Sequence, residues 1–241
     1  MENSFKLDPI FPHLLYKAGF ALTMRFLLFF LADYSRRGLS KSSDRAVAIS
    51  GLVARIQEVL GCETRYGIFA FFLHRTLLWQ RSSLQKMKRI DYRDSKVPSW
   101  SWMAYEGGIQ FTEVPFGNLD LFNDLEFAPQ NKTALITKVW EFQDCYLGEV
   151  MPETSCHQIL DSRGTERGWI MYDVEDGEDL GGERGVVVAR CHKSSSDSQQ
   201  LDNWEYYILV VRQIAGEYER VGIGRVQRGC ISRQEPDVLV F

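Results

Sequence analysis

The chain has 241 residues, 45% hydrophobic and 25% charged, which suits one large core or two small ones and excludes a disordered chain. A net charge of -4 excludes nucleic-acid binding by bulk positive charge. The five cysteines, Cys62, Cys145, Cys156, Cys191 and Cys230, are odd in number and form no CxxC, which argues against a small disulfide scaffold and for unpaired thiols.

Residues 18–32 read AGFALTMRFLLFFLA. Leu22, Phe26, Phe29 and Phe30 share one helical face, and Leu27, Leu28 and Leu31 widen it. A membrane span needs about 20 apolar residues, and Arg25 interrupts this run. A signal peptide is disfavoured too, because Glu2 and Asp8 flank Lys6 and the DYSR at 33–36 is a poor cleavage site. The segment is expected to form a buried helix packed on the next apolar run, in a soluble, cytoplasmic protein.

Ser42, Ser43 or Asp44 is placed to cap a second helix. Ile49, Leu52, Val53, Ile56 and Leu60 follow on one stripe, with Gly51 a weak point and Gly61 a left-handed stop. Residues 66–79 are apolar all round and predict a buried helix. Residues 81–96 carry six Lys or Arg and read as a solvated connector.

From Val97 the pattern turns to strands. Trp100 and Trp102 alternate with Ser99 and Ser101, so an extended segment after Pro98 puts both indoles on one face. Further strands are expected at 134–145, 168–172, 185–191, 205–212, 217–226 and 238–241, with a hairpin turn at 214–217. The polar run 193–203 predicts a mobile loop. The fold class is α+β: a helical part at 1–96 and an antiparallel β-sandwich or barrel at 97–241, packed as one unit.

Motifs for chemistry are missing. The sequence has no GxSxG, HExxH, P-loop or GxGxxG, and Gly222-Ile223-Gly224 predicts a bulge or close backbone packing. Cys156-His157 and Cys191-His192 pair soft ligands, but neighbours on a strand face opposite ways and rarely share a metal. The acidic run 173–179 fails the calcium-loop spacing, since the position five before Gly177 is Tyr172; it reads as a solvated turn. Asn131-Lys132-Thr133 is a formal glycosylation sequon of a kind that arises by chance. No catalytic, cofactor-binding or metal-ligating residue is assigned.

Several segments in fixed order resemble the region that follows the conserved domain in fungal heterokaryon-incompatibility (HET) proteins. They are DYSRR at 33–37, SDRAVAISGL at 43–52, Leu77-Leu78-Trp79 and, above all, VPSWSW at 97–102. Gly168-Trp169 and YERVGIG at 218–224 are similar to the end of such chains. The HET domain's own YxALSYxWG and WxxQE segments are not in this sequence, so none of that domain's functional residues is carried over. The resemblance implies a non-enzymatic accessory or interaction region, with another protein as partner, acting in fungal non-self recognition or left as a degenerate remnant. Trp100, Trp102, Arg45 and Trp169 are its structural or binding candidates, Arg45 as the partner of a carboxylate at its helix start. Two alternatives stand beside it: an enzyme with a Cys/His site, and a ligand-binding β-module built on Trp100 and Trp102.

Overall fold

Two sixteen-residue helices lead the chain, and each shows why its sequence chose that form. The computed structural model describes Pro12 and residues 14–93, 96–115, 119–192 and 204–241. The polar run 193–203 and the charges at 2, 6 and 8 lie outside these described residues. After a single turn, α1 (Leu14–Lys17), helix α2 (Phe20–Ser35) buries Thr23, Met24, Leu27, Leu31 and Ser35. That stripe has helical spacing, but it is not the expected one: Leu22, Phe26, Phe29 and Phe30 are only half-buried. A helix apolar all round does not declare its core side. Among the described residues no helix is long and apolar enough to cross a membrane.

Helix α3 (Arg45–Leu60) buries Ile49 and Ile56 and half-buries Leu52, Val53 and Leu60. Gly61 ends it at φ 59°, where a side chain would be strained, with Cys62 N–H reaching Gln57 O. Its expected side-chain cap is not made by Asp44; Ser42–Asp44 form a 3₁₀ turn that runs straight into the helix.

Residues 66–79 do not form the predicted helix. Strands β1 (Thr64–Arg65) and β2 (Ile68–Phe69) fold back around Tyr66 and Gly67, both at positive φ. A 3₁₀ turn (Ala70–Phe72), the single-turn α4 (Leu73–Thr76) and β3 (Trp79–Arg81) follow. Uniform apolarity marked burial correctly but carried no period to fix the form. The first 96 residues also hold β4 (Lys88–Arg89), so this part is not wholly helical. Strand β4 pairs with β5 (Tyr105–Glu106), and β3 with β6 (Ile109–Phe111).

The remaining strands are β7 (Leu119–Leu121), β8 (Glu126–Phe127), β9 (Leu135–Phe142), β10 (Cys145–Met151), β11 (Cys156–Asp161), β12 (Glu166–Tyr172), β13 (Glu183–His192), β14 (Trp204–Ile214), β15 (Glu217–Gln227) and β16 (Ile231–Val240). They run in the order β10-β11-β12-β15-β14-β13-β9-β16, with β7 on β13 and β8 on β9. Pairing is antiparallel except where Tyr218 of β15 meets Val240 of β16, a parallel contact that closes β15, β14, β13, β9 and β16 into a ring. The fold is thus α+β with a β-rich, barrel-like part. The β14–β15 hairpin turns at Ala215 and Gly216, both at positive φ, as the twist of paired strands favours.

Strand β14 is buried on both faces. Tyr207, Leu209 and Val211 join a first core that also holds α2, α3 and the tryptophans, so one hydrophobic cluster spans the helical and β parts. Tyr206, Ile208 and Val210 join a second, all-β core with Ile159, Ile170, Val187, Val226 and Ile231. Gly222 lets β15 come close to β12: a Cβ there would fall 2.5 Å from Met171 O. Register also shifts between Val210 and Val211 opposite this stretch, so the glycine pair serves close packing beside a bulge, as the sequence predicted.

Candidate functional site

Trp100 and Trp102 are fully buried. The expected strand is instead a turn, with Ser101 N–H reaching Pro98 O, followed by the 3₁₀ turn Trp102–Ala104 capped by Ser101 Oγ. Serine side chains that satisfy nearby backbone groups favour such turns over strands. The indoles therefore diverge. Trp100 packs on Tyr66 and Phe127 and donates to Thr133 O at 3.1 Å. Trp102 packs on Tyr34 and lies beneath Arg45. Neither lines an open groove, and the ligand-binding reading built on this pair loses its geometry.

Arg45 is buried, and among the described residues it forms no ion pair with a carboxylate. Its guanidinium donates to Tyr105 O at 2.7 Å, Ser35 O at 3.1 Å and Gly107 O, fastening α2 and α3 to the β5–β6 turn. Burial lowers its pKa from the ordinary arginine value.

The same use of arginine recurs, and the sequence did not single it out. Arg220 stacks on the Trp79 ring and donates to Asp173 at 2.9 and 3.3 Å, to Leu77 O at 2.8 Å and to Trp79 O at 2.6 Å, all fully buried. Burial pushes the Asp173 carboxyl up from its ordinary value, and the Arg220 charge opposes it. Arg220 N–H also donates to Ser99 Oγ at 2.7 Å, and Ser99 Oγ donates in turn to Phe241 O. The acidic run 173–179 is a solvated turn only in part: Glu175, Asp176, Glu178 and Asp179 are exposed, but Asp173 is core. Arg81, expected in a solvated connector, is buried and donates to Tyr172 O, Ser83 O and Ser155 O. Three others of that connector pair with acids: Lys86 with Asp176, Arg89 with Glu219 and Lys96 with Glu217.

Among the described residues no cysteine and histidine are seen joined in one site. Cys156 faces the first core while its neighbour His157 sits edge-on to Tyr172, 3.0 Å from Asp176 Oδ1. His74 Nε2 lies 2.7 Å from Phe122 O, and burial lowers its pKa. His192 packs on Trp204. Among the described residues no group of three His, Cys, Asp or Glu is arranged to hold a metal.

Two concavities bear on the candidate residues and on α2. Trp169, the fourth candidate, is half-buried in a cleft of about 420 Å³ between β3–β6 and β12, with Gln80, Gln110, Met151, Cys156 and Met171. The larger concavity is a groove of about 740 Å³ between α2 and residues 110–115. Met24, Leu28, Phe29, Phe111 and Val114 supply apolar walls, and Arg25, Arg75 and Glu113 add charge. The groove is rigidly framed. Ser35 Oγ donates to Ala32 O and accepts from Ile109 N–H at 2.8 Å, locking α2 to β6. Arg75 donates to Val114 O at 2.7 Å and Pro115 O at 2.9 Å, fixing the far wall. The sequence signalled only the surplus of apolar residues on α2, of which Leu28 and Phe29 are half-buried at the groove. Comparison with family models, characterised proteins and solved structures found no match for this chain.

Proposed function

We propose that the chain is a non-enzymatic interaction module of HET type, cytoplasmic, and active in fungal non-self recognition through protein contact. The observation that carries this is the framed groove beside α2. Its apolar walls with charge at hand match the composition of protein-binding surfaces, where a few apolar anchors dominate affinity. The buried arginines support the same reading from the other side. Arg45, Arg81 and Arg220 spend their donors on backbone carbonyls and Asp173, as scaffold groups do. The resemblance of segments at 33–52 and 97–102 supplies the partner: a HET domain.

The test is direct binding of the purified chain to a purified HET domain, followed by calorimetry. Phe29 lines the groove without belonging to the packed core, so Phe29→Asp should leave the melting temperature nearly unchanged. It should weaken binding by about tenfold or more, the loss expected for an apolar anchor. Glu113→Lys, on the opposite wall, should weaken binding less. Absence of binding to HET domains, or binding untouched by both variants, would overturn the reading.

A further inference from the structure

We propose that Cys145 and Cys230 form a peroxide-responsive dithiol that closes into an intramolecular disulfide and ties the start of β10 to the start of β16. The strand order begins with β10 and ends with β16. Cys145 is the first residue of β10, and Cys230 immediately precedes β16. The backbone brings them together. Ile231 is paired with Phe142, Gln143 N–H donates to Cys230 O at 3.0 Å, and Asp144 turns the chain at φ 52°. The Cys145 thiol then donates to Cys230 O at 3.6 Å, which places the two cysteines side by side.

The two sulfurs differ in a way that assigns their roles. Cys230 lines a cavity of about 210 Å³ together with Arg167, Gln227 and Asp161. The neighbouring Cys145 thiol and the nearby Arg167 charge lower the Cys230 pKa, while burial and the Asp161 and Asp144 charges oppose them. Arg167 is held at the cavity by Asp161 at 2.8 Å and Gln227 at 2.9 Å. Cys62 and Cys156, in contrast, are pushed up by burial. A thiolate that a small oxidant can reach is the attacking species in thiol oxidation.

In the first step the Cys230 thiolate attacks one oxygen of hydrogen peroxide. An S–O bond forms, the O–O bond breaks, and the departing hydroxide takes a proton to leave as water. The Cys145 sulfur then attacks the sulfenic sulfur, forming the S–S bond and breaking the S–O bond, and its proton leaves with the second water. Two thiols and one peroxide give one disulfide and two waters, and thiol exchange with an external dithiol reverses it. The link would close a long chain loop, the kind whose closure restricts the unfolded state most.

Intact mass and peptide mapping of the whole chain, before and after stoichiometric hydrogen peroxide, test this. The expected product has lost two hydrogens and links the peptides carrying Cys145 and Cys230, while Cys62, Cys156 and Cys191 stay alkylatable. Its melting temperature should rise by roughly 5–10 °C and return with dithiothreitol. In Cys145→Ser the reaction should stop at a Cys230 sulfenic acid that a carbon nucleophile traps. Oxidised wild type with both thiols still alkylatable, or with its link between other cysteines, would overturn the proposal.

Discussion

The two cores are held by different means. The first mixes helix, turn and sheet, and its irregular segments would leave many backbone groups without partners. Buried arginines supply them: Arg45 binds three carbonyls, and Arg220 binds Leu77 O, Trp79 O and Asp173. The second core lies within regular strands whose ladders satisfy the backbone by themselves. It takes a single such contact from a buried arginine among the described residues, Arg81 to Tyr172 O, and Cys145 and Cys230 meet at its edge. A buried charge is thus placed where irregular chain must enter a core, since a lost partner there costs far more than the bond itself contributes.

The comparison breaks most readily at Arg220. Arg220→Ala strands Asp173 and two carbonyls in the first core, and should cost about 3–5 kcal/mol in urea unfolding. A loss under about 1 kcal/mol, as at an exposed pair, would mean that the arginine does not anchor this core.

Trp100→Ala and Trp102→Ala should each cost about 3–5 kcal/mol, and thermal stability unaltered in both would contradict their burial. Phenylalanine sharpens the contrast. Trp100→Phe orphans Thr133 O, whereas among the described residues Trp102 Nε1 has no hydrogen-bond partner to lose. Trp100→Phe should therefore be the more destabilising by about 1 kcal/mol.

A smaller effect separates the cores by pH. Glu183 is buried and takes Arg212 at 2.6 Å, yet burial raises its carboxyl above the ordinary value. The folded chain then holds a proton there more readily than the unfolded chain. Ionised Glu183 opposes folding above its raised pKa, and that opposition is relieved as pH falls through it. The stability of Glu183→Gln relative to the wild type should be greatest near neutral pH and narrow on acidification, as read by urea midpoints. A Glu183→Gln variant less stable than the wild type at neutral pH, with that deficit shrinking in acid, would show that Arg212 outweighs burial.

Regular structure was legible in the sequence where one signal pointed one way. The stripe Ile49–Ile56 closed by Gly61, the hairpin at 214–217 and the glycines of β15 all matched their expected roles. Residues 66–79 gave burial but not form, because a run without period suits a hairpin, a turn and a helix alike, and Gly67 was the overlooked break. The hairpin β10–β11 was missed because its exposed positions, Tyr146 and Val150, are as apolar as its buried ones. Of the candidate site residues, Trp100, Trp102 and Arg45 are buried in the core, and Trp169 reaches a cleft. The groove and the thiol pair join residues distant in sequence, such as Phe29 with Val114 and Cys145 with Cys230, and no local pattern encodes such meetings.

Hydrogen exchange resolved by peptide, with and without peroxide, tests most directly whether the two cores are separately secured. The account predicts slower exchange after oxidation around residues 140–161 and 226–233, where the thiol link would act, and unchanged exchange at 76–105, where Arg220 and the tryptophans already hold the chain. Uniform slowing over both segments, or none in either, would contradict it.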